Sequence, residues 1–386
     1  MSKTFVTIFP ICEDVHLVKD VGQIPYFLHR LFGYNASVVS YPKSKHYRNL
    51  VTEVNGLKLE LLEDNGRISF LEKAVVNYLR RNARTIDVLN LYHYTKQSFA
   101  YGLLYKRLNP QGKLFLKVDG YNDTFKSGNK VRHSVKPVKN FLLGKLERAC
   151  LDRTDLISIE NTEGEQLMRA MFPEYAKKII YLPVGVNDLF LKEHFGSKLK
   201  EATQKENIIL TTGRIGLDIK NHEMILKALC KVELKDWKMV FVGPFYSNIQ
   251  DLFERMTVEF PHLKGKVVFT GELSNREELY EWYNRSKIFL MTSHRESFSV
   301  AIAEAIYFGN YVIGTEGVMS MKDVSDNGRL GRIIKDNDVG ALSAELQKRI
   351  DDPSTLGSLM PEIMSRSRER FVWTGIIKQL HDALSK

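Results

Sequence analysis

The chain reads as an α/β protein made of two doubly wound parallel-sheet domains facing across a cleft. Three observations lead there. It has 386 residues, 44% hydrophobic and 26% charged, more than the roughly 250–300 residues that one core sustains. Strand-like and helix-like segments alternate in two successive series, the pattern of parallel strands joined by crossover helices. Between the series, LKEHFGSKLKEATQKEN (191–207) is polar and lysine-rich and is expected to be a linker.

In the first series TFVTIFPI (4–11), ASVVSYP (36–42), DVLNLYHY (87–94), KLFLKVD (113–119) and LISIEN (156–161) are strand-like. The helical runs between them include QIPYFLHRLFG (23–33), ISFLEKAVVNYLRRNA (68–83) and SFAYGLLYKRLN (98–109). The second series is IILTTGR (208–214), KMVFVG (238–243), KVVFTG (266–271), IFLMTS (288–293), YVIGTEG (311–317) and GRIIKD (331–336), again with intervening helices. Ligands of such sheets bind at the carboxyl ends of the strands, where Arg214 and Glu296 fall.

Composition narrows the class. No uninterrupted apolar stretch reaches the ~18 residues of a membrane span. The opening residues, MSKTFVTIFPICEDVH, do not follow the pattern of a signal peptide. Cys12, Cys150 and Cys230 have neither metal-ligand nor CxxC spacing, so ordinary thiols in a reducing, cytoplasmic compartment are expected. The net charge of +10 permits a nucleotide, an anionic membrane or a nucleic acid as partner. Nucleic acid is set aside because no RNA- or DNA-binding motif occurs. The stretch 129–148 (NKVRHSVKPVKNFLLGKLER) interleaves basic residues with Phe141, Leu142, Leu143 and Leu146. It fits an anionic membrane surface and, about equally, a solvated helix face with one buried stripe. Pro137 is expected to interrupt that helix. The expected location is the cytoplasm, peripheral at the inner face of the membrane.

Two windows carry chemistry. In HRESFSVAIAEAIYFG (294–309), Glu296 ends a loop after an apolar strand, and Glu304 follows eight residues later in an apolar helical run. That spacing is slightly over two helical turns, which would place both carboxylates on one side. The amides of Ser297, Phe298 and Ser299 fall at the helix start, where N–H groups and the helix dipole favour an anion. In the other window, Arg214 and Lys220 bracket a turn after a buried strand, and the helix NHEMILKALCKV (221–232) begins directly after. Two cations at a strand's carboxyl end, beside a helix N-terminus, form a diphosphate clamp. Together the windows suit a sugar joined to a diphosphate, with leaving-group charge stabilised without a metal. The plain alternatives are two surface acids on an amphipathic helix and two surface charges at a turn. Asp336-Asn337-Asp338 imitates a metal-binding DxD motif, but it follows GRIIK and precedes a helix, so it reads as loop and helix cap. No His/Cys/acid cluster points to a metal, and no GxSxG or Ser/His/Asp order points to a hydrolase. No metal or resident cofactor is expected.

These windows stand in order with LPVGVNDLF (182–190), MVFVGP (239–244), VVFTGELSNREELYEWYNRSKIFLMTS (267–293) and FVWTGIIKQLHDAL (371–384). Over about residues 179–386 the series resembles the retaining nucleotide-sugar glycosyltransferases of the GT-B fold, family 4 (glycosyl transferase group 1). The resemblance implies a Rossmann-like, acceptor-binding domain over 1–188, joined by the C-terminal helix 371–386, and a Rossmann-like, nucleotide-sugar-binding domain over 189–370. It implies that Arg214 and Lys220 hold the donor diphosphate, that Glu296 bonds donor sugar hydroxyls, and that Glu304 binds the ribose. Phe298, Ser299 and Val300 would offer backbone N–H groups, and Gly271, Glu272 and Leu273 would border the base. It also implies retention at the anomeric carbon, with the leaving phosphate accepting the acceptor proton. A UDP-sugar is the favoured donor, and a glycan or glycolipid hydroxyl the acceptor.

The N-terminal half follows the family less closely. A Gly-Gly turn after the first strand has its counterpart in Val21-Gly22-Gln23, where Gly22 would let backbone approach phosphate or acceptor. Where relatives carry a histidine after a central strand, KVDGYND (117–123) stands, so Asp119 is the expected occupant. His93 and His133 are the fallbacks, and a capping turn residue is nearly as good a reading of Asp119. Tyr121, Asn122 and Asp123 face acceptor or form a polar turn. A sugar-phosphate synthase, and a non-catalytic partner subunit of the same fold, are the competing functions.

Overall fold

The structure is a computed structural model that describes residues 2–119, 137–273 and 275–386, with residues 137–140 as backbone only. Two compact units form, Met1–Asn187 with Trp373–Lys386, and Asp188–Val372. The first holds β1 (Thr4–Ile8), β2 (Asn35–Ser40), β3 (Lys58–Leu61), β4 (Arg67–Ile68), β5 (Leu71–Glu72), β6 (Val88–Tyr92), β7 (Lys113–Val118), β8 (Leu156–Ile159) and β9 (Ile179–Tyr181). The second holds β10 (Ile208–Thr212), β11 (Lys238–Val242), β12 (Val267–Gly271), β13 (Ile288–Met291), β14 (Tyr311–Thr315) and β15 (Gly331–Ile334).

Both main sheets are parallel. Their strand orders are β3-β2-β1-β6-β7-β8-β9 and β12-β11-β10-β13-β14-β15. Each sheet therefore reverses direction once, between β1 and β6 and between β10 and β13. A crevice opens at such a switch point because the loops leaving the two strands run to opposite faces. Helices cover both faces, so the central strands carry almost unbroken apolar runs. All five residues of β6 and all five of β10 are buried.

In the first unit, the helix Asp20–Phe32 starts three residues before the expected one. The Asp20 carboxylate pairs at 2.7 Å with the ammonium of Lys117, which Glu160 also holds at 3.0 Å. Lys117 is buried at the end of β7, and these two acids outweigh burial and keep its pKa raised. Val21-Gly22-Gln23 is therefore helix and not a turn after the first strand. A Cβ on Gly22 would meet the Leu17 carbonyl oxygen at 2.2 Å, so the glycine admits the preceding helix turn and offers no loop to a phosphate. The helix expected over 68–83 is shortened to Lys73–Asn82. Ser69, at φ +58°, instead turns β4 back on β5. Pro137 opens the helix Pro137–Arg153 and does not interrupt it, since its fixed φ and missing N–H cost nothing in a first turn. The C-terminal helix Trp373–Ser385 packs on Asp20–Phe32. The His381 ring stacks on Phe32 at 3.9 Å, and the Lys113 ammonium donates to the Leu384 carbonyl at 2.7 Å.

In the second unit the polar stretch 191–207 is not a free linker. It continues the helix Asp188–Phe195, which buries Leu191 and Phe195, the latter ring against Tyr280 at 5.9 Å and Phe308 at 5.7 Å. Lys205 is buried too. Its ammonium donates to the carbonyls of Tyr283, Asn284 and Ser286 at 3.1, 3.1 and 2.7 Å, closing the carboxyl end of the helix Arg276–Arg285.

Candidate functional site

The second unit gathers most of the expected residues at its switch point. The loops leaving β10, β11 and β12 are sewn together by backbone bonds. Gly213 N–H donates to Val242, Ile215 to Pro244 and Gly243 to Gly271, at 2.9, 2.9 and 3.0 Å. Gly213 and Gly243 have φ of +133° and +136°. A Cβ on Gly243 would stand 1.8 Å from the Gly213 carbonyl oxygen, so only glycine permits the crossing. Arg214, exposed, rides on this layer. The loop is closed by His222, whose Nδ1 accepts from the Gly216 N–H at 3.1 Å. Burial, with the Lys220 charge beside it, pushes His222 down to about 3, so the ring is neutral and able to accept. A one-turn 3₁₀ helix, Asp218–Lys220, then delivers Lys220 to the start of the helix His222–Leu229.

Lys220 meets Glu296 directly, ammonium to carboxylate, with both side chains about four-fifths covered at 15% and 20% exposure. The loop carrying Glu296 is fixed from two sides. His294 N–H donates to Ile219 at 2.9 Å, and Glu296 N–H to Gly317 at 3.0 Å. The His294 ring is held by Asp336 at 2.8 Å. Asp338 caps the helix Val339–Asp351 by accepting from the Ala341 N–H at 2.8 Å, which makes that acidic triplet a loop-holding and capping device.

The helix after Glu296 is Val300–Tyr307, with Ser299 as its extended N-cap residue. Glu296 therefore stands in a loop, and the two glutamates do not share a helical face. The Ser299 side chain caps nothing in the first turn, while its carbonyl accepts from the Ile302 N–H at 3.1 Å, so an outside acceptor would address the amides before Ile302. Ser297, Phe298 and Ser299 are buried, while Val300 is half-buried. Glu304, 3% exposed, lies in that helix, and its carboxylate is paired with the Arg276 guanidinium. Gly271, at φ +73°, ends β12 and leads through Glu272 and Leu273 toward Arg276.

The first unit presents a smaller cluster at its own switch point. Asp119 follows β7 and His93 follows β6, and the structure brings them together at 2.7 Å. Burial works against the imidazolium, but the Asp119 hydrogen bond and charge outweigh it, so the His93 pKa is raised. Burial likewise opposes the Asp119 carboxylate, yet the bond to His93 lowers its pKa. The Phe9 ring, just after β1, packs between His93 at 5.7 Å and His16 at 5.3 Å. Gly22 lies in a packed helix and joins neither cluster as a loop. His133, Tyr121, Asn122, Asp123 and residues 129–136 of the basic stretch lie outside the described residues. Sequence reasoning missed Arg276 and the pairing of His294 with Asp336, because their partners are distant in the chain, and it missed His222, whose bond to Gly216 spans six residues but depends on the turn between them.

Two parallel, doubly wound sheets with charged clusters at their strand ends define the GT-B fold. Residues 191–368 match the family model for glycosyl transferases group 1, so the second unit is a group 1 glycosyltransferase domain. A probable sucrose-phosphate synthase of Thermosipho melanesiensis is 26% identical over 226 residues, 56% of this chain and 49% of that protein. A D-inositol 3-phosphate glycosyltransferase of Streptomyces avermitilis is 29% identical over 242 residues, 58% and 50% of the two chains. The chain thus spans about half the length of the curated relatives it matches. Among solved structures, Anabaena HepE in complex with UDP aligns over 100% of both chains with a TM-score of 0.72 at 14% identity. The same protein has been solved with UDP-glucose, with a TM-score of 0.70.

Proposed function

We propose that the protein transfers a hexose-type sugar from a nucleoside-diphosphate donor, a UDP-sugar, to a hydroxyl acceptor with retention and without a metal. The observation that carries this reading is one cluster at a single switch point, with Arg214 on the neighbouring loop. Lys220 is paired with Glu296 beside an uncapped helix start, inside the family domain. UDP and UDP-glucose in the HepE structures support the choice of donor. In the proposed reaction the acceptor O–H attacks the anomeric carbon as its bond to the diphosphate breaks. The departing phosphate oxygen takes the acceptor proton, so the products are a glycoside and UDP. Arg214, Lys220 and the amides at Val300 would neutralise the charge that develops on the leaving group. Glu296 would orient the sugar hydroxyls, and the His93–Asp119 pair of the first unit would serve the acceptor.

A donor screen tests the reading. Purified protein is heated with UDP-, GDP- and ADP-sugars, and slow donor hydrolysis is followed in parallel. A UDP-sugar is expected to raise the melting temperature by mass action. No shift with any donor, at concentrations that saturate a control transferase, would favour the non-catalytic reading. Glu296→Gln is expected to lower kcat/KM for the UDP-sugar about 10- to 100-fold and to change UDP affinity less than about threefold. Equal losses would contradict the assignment of Glu296 to the sugar.

The acceptor is proposed to be a surface glycan or glycolipid reached at the membrane. On the helix Pro137–Arg153, Phe141 and Leu142 are 62% and 59% exposed beside Lys145, whose ammonium lies over the Phe141 ring at 4.5 Å. Lys145 and Arg148 follow Phe141 by four and seven residues, so one exposed face is apolar and basic. No helix among the described residues is long and apolar enough to cross a membrane. Phosphatidylglycerol vesicles are expected to co-sediment the protein, and phosphatidylcholine vesicles are not. Phe141→Ser with Leu142→Ser should abolish co-sedimentation, and retention of full binding would reject this face. The two curated relatives, one named as a sucrose-phosphate synthase and the other as a D-inositol 3-phosphate glycosyltransferase, support a second reading, a sugar-phosphate acceptor. Turnover dependent on an added sugar phosphate would select it.

A further inference from the structure

The loop after β11 holds an aromatic ring at the surface, next to the segment expected to border the base. Phe245 is 39% exposed, yet its place is fixed. Its backbone forms a parallel bridge with Ile215, the residue after Arg214. The Ile215 N–H donates to Pro244 at 2.9 Å and the Tyr246 N–H donates to Ile215 at 2.8 Å, one bond on each side of Phe245. The Phe245 ring meets that of Phe269, in β12, at 6.1 Å between centroids with 60° between the planes. Phe269 in turn stacks at 4.8 Å on Phe241, a fully buried residue of β11. Ring contacts thus run from the core of the second unit, through Phe269, out to Phe245. A Cβ on Gly271 would stand 3.8 Å from the Phe245 Cε2, an ordinary contact distance. The ring therefore reaches the end of β12, where Gly271, Glu272 and Leu273 lead off.

A nucleoside diphosphate asks for two unlike things, cations for its phosphates and a flat apolar surface for its base. The bonded layer that joins the loops after β10, β11 and β12 carries both, with Arg214 on the β10 side and Phe245 beside Gly271 on the β12 side. A phenyl ring left at the surface gains nothing from water. Placed against a base it gains stacking, and a ring already held by its neighbours gives up little freedom to do so. We infer that Phe245 is the stacking platform for the donor base, contributing affinity through the aromatic face of the base and not through its hydrogen-bonding edge. This rests on the proposed reading of the second unit as the nucleotide-sugar site, with residues 271–273 at the base. Tyr246, adjacent and 55% exposed, provides the control ring.

The test measures calorimetric affinities for UDP, 5,6-dihydro-UDP and ribose 5-diphosphate with the wild type, Phe245→Ala, Phe245→Leu and Tyr246→Ala. Dihydro-UDP keeps the hydrogen-bonding edge of uracil and lacks its aromatic face, and ribose 5-diphosphate has no base. The wild type should bind UDP about fivefold or more tightly than dihydro-UDP and about tenfold or more tightly than ribose 5-diphosphate. Phe245→Ala should weaken UDP about tenfold, bring UDP and dihydro-UDP within about twofold of each other, and leave ribose 5-diphosphate within about twofold of wild type. Phe245→Leu, which keeps apolar bulk without a ring, should lose the same preference, and Tyr246→Ala should keep it. Equal weakening of all three ligands by Phe245→Ala would reduce Phe245 to a support for its loop. Unchanged UDP affinity in both Phe245 variants, or loss of the preference in Tyr246→Ala alone, would overturn the inference and leave the donor site standing. A wild type that binds ribose 5-diphosphate as tightly as UDP makes no base contact, and one that binds none of the three ligands has no nucleotide site. Either result removes the reading on which the inference rests.

Discussion

Arg214→Ala lowers the turnover number by about two to three orders of magnitude, as expected for loss of one strong donor to developing charge, while the melting temperature moves by about a degree or less. The two halves of this expectation have separate causes. The loop after β10 owes its course to backbone bonds from Gly213 and Ile215 to Val242 and Pro244, and to a buried His222 that accepts from Gly216. Arg214 is exposed on that loop, so its truncation removes a charge and little packing. Lys220 is a less clean probe, because its removal would leave Glu296 without its cation. Steady-state kinetics with a saturating UDP-sugar, beside a thermal melt, decides the matter. A turnover number equal to wild type would remove Arg214 from the diphosphate clamp, whatever happened to KM. A large fall in melting temperature would mean that the side chain supports the loop after all.

What could be read from the sequence, and what could not, follows the geometry of burial. IILTT, KMVFV and IFLM are legible as strands because a parallel sheet covered on both faces demands continuous apolar runs. β3, KLEL, is an edge strand with no buried residue, so nothing in it distinguishes strand from surface loop. β9 has three residues, too few for any period to register. The stretch 191–207 looks like solvent-exposed linker because composition counts lysines. It does not count the three carbonyls that receive the Lys205 ammonium, or the rings of Tyr280 and Phe308 that receive Phe195. The charged residues of the candidate site were visible because they sit beside strand ends and helix starts, where local pattern and function coincide. Their partners were not. Arg276 lies 28 residues from Glu304 and Asp336 lies 42 from His294. Only the folded sheet brings such pairs together, and no spacing rule predicts them. The eight-residue interval between Glu296 and Glu304 misled for a related reason. A helical period does not run across a cap: Ser299 is extended and the helix begins only at Val300.

Gly22→Ala provides the sharpest test of a place where sequence and structure diverge. In a turn that cradles phosphate, the added methyl would weaken nucleotide or acceptor binding and leave the fold intact. In the helix Asp20–Phe32 the same methyl meets the Leu17 carbonyl oxygen at 2.2 Å and the Leu17 Cα at 2.5 Å. Both are backbone atoms, which cannot rotate away as a side chain would. The intrinsic gain of alanine over glycine in a helix, about 0.5–1 kcal/mol, is smaller than the ~1–3 kcal/mol that overpacking a tight contact costs. The preceding turn must therefore shift. The helix cannot yield freely either, because Asp20 is tied to buried Lys117 at its start and Phe32 stacks on His381 near its end. The expected result is a net loss of about 1 kcal/mol, or roughly 2–4 °C in the melting temperature of a unit of this size, with UDP affinity of the folded protein unchanged. Calorimetric melting and UDP titration of the same preparation separate the two accounts. Weakened binding at an unaltered melting temperature would return Gly22 to a ligand-facing loop and remove the packing role argued for it.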